Sequence, residues 1–341
     1  MENMIGIVRP GPQIDTLTKY LLILSSAYGV PLCSYNLFDL NLEQQTTPAI
    51  FWCKGSLEER QTALPAFSEF QFSRTLADVN EGFKQRMQWL REHTSITDNP
   101  AIAKEHLSQA MLRSAFSIYA IPTYRVTTMP ELRNLTKIIP NAIIKPSGGR
   151  KGIGVMHVHC SGTELTMREK EKCWTANDDT WSAYVQFLSE NRMGVPIIQP
   201  RLDFSLDDRH AVDFRLLVAR GGSGNWETVA IYPRIGATRL VSNVAQGGYI
   251  GDAMEVLETI APGKASELME LLEYIATELP ELIQSYRQAP IAALGIDVGI
   301  DRGSLQPYVL EANSRPSTKL HAWLLAEKKT QYYKYLLERQ G

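Results

Sequence analysis

The stretch ALGIDVGIDRGSLQPYVLEANSRP, residues 293–316, alternates like two strands joined by a polar turn. If residues 293–300 and 307–313 pair as an antiparallel hairpin about residues 302–306, Glu311 and Asn313 share one face. A symmetric register then sets Asp297 opposite Glu311, while Ile296, Leu310 and Ala312 face the other way, into a core. Two carboxylates directly across a ladder repel each other. A divalent cation removes that conflict: two carboxylates and an amide oxygen, with positions left for phosphate oxygens, suit Mg2+. The plainer reading is a partly exposed hairpin whose acids are solvated.

A second stretch upstream tips the balance. Residues 142–146, AIIKP, read as a buried strand that runs into Ser147-Gly148-Gly149-Arg150-Lys151-Gly152-Ile153-Gly154, and a further strand follows at 155–158. A glycine-rich segment between two strands can fold over a ligand and offer successive backbone N–H groups to phosphate. Glycine suits such a segment because close approach leaves no room for a Cβ. GxxxxGK[ST] is absent, so this is not a P-loop, and a mobile surface turn is the alternative. Lys145 argues against that alternative, since an inward lysine at the end of an apolar strand needs an anionic partner.

At 341 residues the chain is long enough for two or three domains. A net charge of −2, with acids and bases interspersed, gives no sign of a nucleic-acid binder or a polybasic membrane anchor. The four cysteines, at 33, 53, 160 and 173, form neither a CxxC nor a Cys/His metal spacing, and reduced thiols in a cytoplasmic protein are expected. The opening MENMIGIVRPGPQ lacks the pattern of a signal peptide, and serines and a glycine interrupt the longest apolar run, 20–30.

Along the chain, strands are predicted near 5–8, 31–35 and 49–52, with a helix through about residue 28 giving a β-α-β opening. A short helix is expected at 58–63, and a longer one at 76–92 on the stripe Leu76, Val79, Phe83, Met87 and Leu90. Asn99 and Pro100 are placed to start a helix at 101–115 that carries Lys104. Residues 161–179 read as loop with a little helix, 180–191 as helix, and 195–199 as a strand ending in Pro200-Arg201-Leu202. Strands at 211–219, with Asp213 and Arg215 on one face, and at 226–233, delivering Arg234, precede a polar loop at 242–248. Helices at 265–286 and 321–339 complete the reading.

Lys145 before a Gly-rich hairpin, then a DFR strand, an Arg-bearing strand and GID…LEANSRP, is the order of ATP-grasp carboxylate–amine ligases. The sequence resembles the YheC/YheD-type, endospore-coat-associated ATP-grasp family in VDFRLLV (212–218), NWETVAIYPRIGA (225–237), SNVAQGG (242–248) and LGIDVGID…VLEANSRPS (294–317). The likeness covers roughly residues 97–319. It implies an α/β fold of the α+β ATP-grasp type. An N-terminal β-α-β pre-ATP-grasp domain (1–96) would precede a central subdomain with the Gly-rich loop (97–199) and a C-terminal subdomain with the metal site (200–341), the last two clamping ATP.

Carried over by position, the resemblance implies that Lys104 and Lys145 contact ATP phosphates beneath a loop containing Ser147, Gly148, Gly149, Gly152 and Gly154. Residues 197–202 would be the adenine hinge. There the Pro200 carbonyl would accept from the adenine amino group and the Leu202 N–H would donate to the ring, with Gln199 where the family more often has an acid. Asp297, Glu311 and Asn313 match ligands for Mg2+, with Mn2+ the alternative ion. Arg215 and Arg234 match catalytic positions near the transferred phosphate, and Asn243 sits in a loop that approaches it. The implied reaction is ATP-dependent amide formation between a small-molecule or peptide carboxylate and an amine through an acyl phosphate, with release of ADP. A phosphotransferase or a non-catalytic, spore-coat-associated nucleotide-binding protein are the alternatives. Neither nucleic acid nor membrane is expected as a partner. The state of association is left open, with a homodimer common in ligases of this class.

Overall fold

The computed structural model describes residues 2–70, 81–97, 102, 104–148, 153–162, 164–169, 172–207, 209–237, 248–286, 290–316 and 320–339. Three sheets are built in chain order. In the first, β1 (Glu2–Arg9) and β2 (Leu32–Asn36) run parallel, joined by α1 (Thr16–Tyr28). The Asp15 side chain caps α1 by accepting from the Thr18 N–H, and the chain leaves the helix through Gly29 at φ 68°. Such a left-handed exit costs a glycine little. β3 (Thr46–Cys53) and β4 (Ser56–Ala63) form an antiparallel hairpin, and β5 (Pro65–Phe70), α2 (Glu81–His93) and β6 (Ser95–Thr97) complete the order β4-β3-β2-β1-β5-β6.

The expected helix at 58–63 is therefore a strand. Lys54 and Gly55 both take positive φ, 49° and 87°, which is the turn geometry that matches hairpin twist. The charged run Glu58-Glu59-Arg60 lies exposed on a sheet edge, where charge discourages further pairing. Of the stripe predicted for 76–92, Phe83, Met87 and Leu90 are buried, while Leu76 and Val79 lie outside the described residues.

After α3 (Lys104–Leu112), the second sheet takes β7 (Tyr124–Arg125), β8 (Asn141–Pro146), β9 (Met156–Ser161), β10 (Glu164–Glu169), β11 (Lys172–Thr175) and β12 (Pro196–Pro200), in the order β11-β10-β9-β8-β12-β7. Two helices accompany it: α4 (Met129–Ile138), opened by a Thr128/Glu131 capping box, and α5 (Asp178–Glu190). Residues 161–179, expected as loop, contain two strands. Leu165 and Met167 enter the core while Glu164 and Arg168 point outward. That is period-2 alternation on a strand with one wet face.

The third sheet, β15-β14-β13-β16-β17, is made by β13 (Val212–Arg220), β14 (Trp226–Ile235), β15 (Tyr249–Ile250), β16 (Ala293–Ile300) and β17 (Pro307–Asn313). Between β15 and β16 run α6 (Ala253–Ile260), which the sequence reading did not anticipate, and α7 (Ala265–Ser285). The chain closes with α8 (Ala322–Glu338). Leu107 and Met111 of α3 enter the same core as Phe214, Leu216, Ile296 and Val298, so Lys104 is carried to the edge of this sheet. α8 turns back to the first sheet, where Lys329 and Tyr333 both bond the buried Glu69. Among the described residues no helix is long and apolar enough to cross a membrane.

Candidate functional site

The polar face of the third sheet is set by strand register. Tyr232 of β14 stands opposite Arg215 of β13, Arg215 opposite Asp297 of β16, and Asp297 opposite Glu311 of β17. The predicted hairpin register thus holds at the acidic pair. One residue later a bulge interrupts it, so Val309 pairs with Val298 and enters the core in place of the expected Leu310. Gly295 lies on the same face, and a Cβ there would come within 2.9 Å of the Arg215 guanidinium. Glycine lets that arginine lie flat along the sheet.

Asp297, 2% exposed, is gripped by two guanidiniums. Arg215 donates to it through both Nε and Nη2, the latter at 3.1 Å to Oδ2. Arg234 Nη2 approaches the same Oδ2 at 2.8 Å, while its Nε donates to Asp213 at 2.6 Å. Burial pushes the Asp297 carboxyl up, to about 6, against the two arginines that hold it down. It remains a carboxylate at neutral pH.

Glu311 has its own partners. Lys104 Nζ lies 3.1 Å from Oε2, and the Asn313 amide donates to Oε1 at 3.0 Å. Burial raises this carboxyl, but Lys104 and the hydrogen bonds outweigh it and leave the group at about 2. The facing acids, expected to need a metal to relieve their repulsion, are thus already neutralised by protein cations. A metal is not what makes their pairing tolerable. The donor set nonetheless suits a hard divalent ion: both Glu311 oxygens and Asp297 Oδ1 take one protein donor each and keep a second lone pair, whereas Asp297 Oδ2 already takes two, and the Asn313 carbonyl oxygen is the amide's remaining acceptor.

Lys145 approaches from the second sheet, on β8 between the core residues Ile144 and Pro146. Burial, and then the nearby Lys104 ammonium, pull its amine down to about 7 against the attraction of Glu311. Both ends of the glycine-rich segment beside it are fastened. Ser147 N–H and Gly148 N–H donate to the carbonyls of Val195 and Met193, at 2.9 and 3.0 Å. At the far end Gly154, at φ 74°, accepts from the Tyr184 hydroxyl at 2.8 Å. Gly149 and Gly152 lie outside the described residues, as does Asn243.

The expected hinge follows β12. Ile197 pairs with Lys145 and Gln199 with Ile143, so the strand runs beside the lysine. The Gln199 side chain is buried and donates to Thr123 Oγ1 at 2.6 Å. Pro200 and Leu202 are half-buried, and the Arg201 N–H is held by the Asn141 carbonyl. Two further residues lie on these faces. Tyr232 extends the Arg215–Asp297 row, with its ring centroid 4.8 Å from that of His321. His157, opposite Ile143 on the Lys145 face, is pushed down to about 4 by burial and then by Arg201. Only the strand pairing reveals either one.

A sequence model described as YheC/D-like ATP-grasp matches residues 94–339. Two curated relatives from Bacillus subtilis (strain 168) are similar. The endospore coat-associated protein YheD is 24% identical over 209 residues, 58% of this chain and 46% of that protein. The endospore coat-associated protein YheC is 22% identical over 232 residues, 66% of this chain and 62% of that protein. This chain therefore spans about half of one relative's length and under two thirds of the other's. Among solved structures, the D-cycloserine synthetase DcsG superposes with a TM-score of 0.56 at 16% identity, over 99% of this chain and all of that one. D-alanine–D-alanine ligase from Bacillus anthracis complexed with ATP gives 0.53 at 12% identity, over 99% of both. These likenesses show the ATP-grasp fold.

Proposed function

This chain belongs to the YheC/D-like ATP-grasp family, and we propose that it is an ATP- and Mg2+-dependent ligase joining a small-molecule or peptide carboxylate to an amine. The observation that carries the reading is the pairing of Lys104, on α3, with Glu311 at the end of the row Arg215–Asp297–Glu311, with Lys145 of the second sheet near enough to feel both Lys104 and Glu311. Residues 1–96, 97–199 and 200–341 correspond to its N-terminal, central and C-terminal units, except that α3 packs into the C-terminal core and α8 against the N-terminal sheet, and the compartment is the cytoplasm.

Lys104 and Lys145 bind the phosphates of ATP, covered by residues 147–154. Residues 199–202 hold the adenine through backbone groups, and Asn243 reaches the transferred phosphate. Glu311, Asn313 and Asp297 would hold Mg2+, which would supply positive charge to the phosphate oxygens. Attack of a carboxylate on the γ-phosphate brings two anions together, and Arg215 and Arg234 offset that repulsion. The attacking oxygen forms the new bond to phosphorus as ADP leaves. The amine then displaces phosphate from the acyl carbon, losing one proton as the amide forms. Closure of the glycine-rich segment keeps water from the acyl phosphate between these steps.

Incubation with ATP, Mg2+ and a panel of amino acids and peptides, with hydroxylamine as a trap, is expected to release ADP and phosphate and to yield hydroxamates. A phosphorylated product without free phosphate would instead establish a phosphotransferase. Absence of nucleotide binding by calorimetry would remove the reading altogether. Glu311→Ala is expected to lose the Mg2+-dependent part of ATP binding, and wild-type binding of Mg-ATP by that variant would overturn the metal assignment.

A further inference from the structure

Behind the second sheet, on the face away from Lys145, lies a cavity of about 270 Å³ between β9, β10, β11 and α5. Its walls are Met156, Met167, Trp174, Tyr184 and Phe187, with Glu169 contributing the one carboxylate among the lining side chains. Strand alternation explains the separation from the nucleotide face. Met156 pairs with Ile144, which is buried towards the helices, whereas His157 pairs with Ile143 on the Lys145 face. Phe187 is 39% exposed, so part of its ring is left for a ligand to cover.

The chemistry of the walls selects an occupant. Aromatic faces attract cations through their quadrupoles, and methionine sulfurs adapt to ring edges. Glu169, opposite Lys172 across the β10–β11 pair, presents its carboxylate to the apolar wall, which suits a positive group. The volume is slightly below the ~300–1,000 Å³ of drug-sized pockets, enough for a single ring with a short chain. The cavity also touches Gly154, whose carbonyl is tied to the cavity wall by the Tyr184 hydroxyl. Gly154 ends the segment that would cover the phosphates.

We propose that this cavity is an effector site for a small aromatic ammonium, whose ring lies among Trp174, Tyr184 and Phe187 and whose charge faces Glu169. Occupancy is transmitted through the Tyr184 hydroxyl to the Gly154 carbonyl. The site needs neither ATP nor an acid substrate, so it stands or falls apart from the ligase reading.

The test is a titration of the full chain, labelled with ¹³C-methyl methionine, with phenethylammonium chloride. Saturable shifts are expected at Met156 and Met167 and not at the other methionines. Glu169→Gln is expected to weaken phenethylammonium about tenfold, the size of one lost ion pair, while leaving 2-phenylethanol unchanged. Ala183→Trp fills the cavity and abolishes both, with the remaining methyl signals reporting an intact fold. The Gly154 carbonyl resonance should move on binding in the wild type and stay still in Tyr184→Phe. Absence of saturable shifts, or binding indifferent to Glu169→Gln, overturns the site; binding that leaves Gly154 unmoved in the wild type overturns the effector role.

Discussion

The two sheets that contribute to the candidate site treat charge in opposite ways. On the third sheet every buried charge has an opposite one: Asp297 sits between Arg215 and Arg234, Asp213 bonds Arg234, and Glu311 pairs with Lys104. On the second sheet the half-buried Lys145 is driven towards its neutral form by desolvation and then by the nearby Lys104 ammonium. One half is therefore electrostatically complete before any ligand arrives, and the other is completed by an anion. The largest effect should come from damaging the complete half. Asp297→Ala leaves the buried Arg215 without its carboxylate and Arg234 with Asp213 alone, and is expected to cost about 3–5 kcal/mol of stability, read by denaturant unfolding. A loss below about 1 kcal/mol would mean that the pairing is not what holds this face together.

Damaging the incomplete half should do the reverse. Lys145→Met removes a desolvated amine and keeps its length, so stability should hold or rise. Nucleotide affinity should fall about 10- to 100-fold, the range for a charge-assisted hydrogen bond worth roughly 1.5–3 kcal/mol. Calorimetry and unfolding on the one variant separate the two outcomes, and a variant that lost stability while keeping affinity would invert the comparison.

The same lysine gives a pH dependence whose sign follows from its position. In the free protein its pKa is about 7, and a bound phosphate raises it by favouring the ammonium. The complex therefore binds more protons than the free protein at pH 8, and nucleotide affinity falls as pH rises above about 7. With much of the free amine deprotonated at pH 8, binding should take up a fraction of a proton at that pH and less at pH 6. Titrations in buffers of differing ionisation enthalpy measure that uptake. Proton release on binding would show that Lys145 does not meet the phosphate.

How much of this was legible from sequence differs between the halves for a physical reason. The Asp297–Glu311 pair is local: fourteen residues, a polar turn and period-2 alternation determine which side chains share a face. Lys145 and its glycine-rich neighbour are local too. Arg215 and Asp297 are 82 residues apart, and their bond depends on β13 lying next to β16, which no spacing encodes. Hence the acids were paired with each other while Arg215, Arg234 and Lys104 were assigned to phosphate rather than to those acids, and a metal was asked to do what two arginines and a lysine already do. The bulge at Leu310 was invisible because an unpaired residue is a backbone event with no side-chain signature. β4 was mistaken for a helix because the Lys54-Gly55 turn, which reverses the chain, was not read as one.

Gln199 offers the smallest effect and the finest division between the halves. It lies on the incomplete side, at a position expected to meet adenine, yet its amide is spent on Thr123 inside the protein. A backbone hinge would not notice that side chain. Gln199→Met replaces the amide by an apolar chain of similar length, and Thr123 keeps a partner because its hydroxyl also donates to the Ile121 carbonyl at 2.8 Å. One ordinary hydrogen bond is lost without stranding a donor, so stability should drop by only about 0.5–1.5 kcal/mol, while ATP affinity stays within about twofold. An affinity loss of tenfold or more would mean that the side chain leaves Thr123 to read the base. The second sheet would then be organised by its ligand at the adenine end as well as at the phosphates.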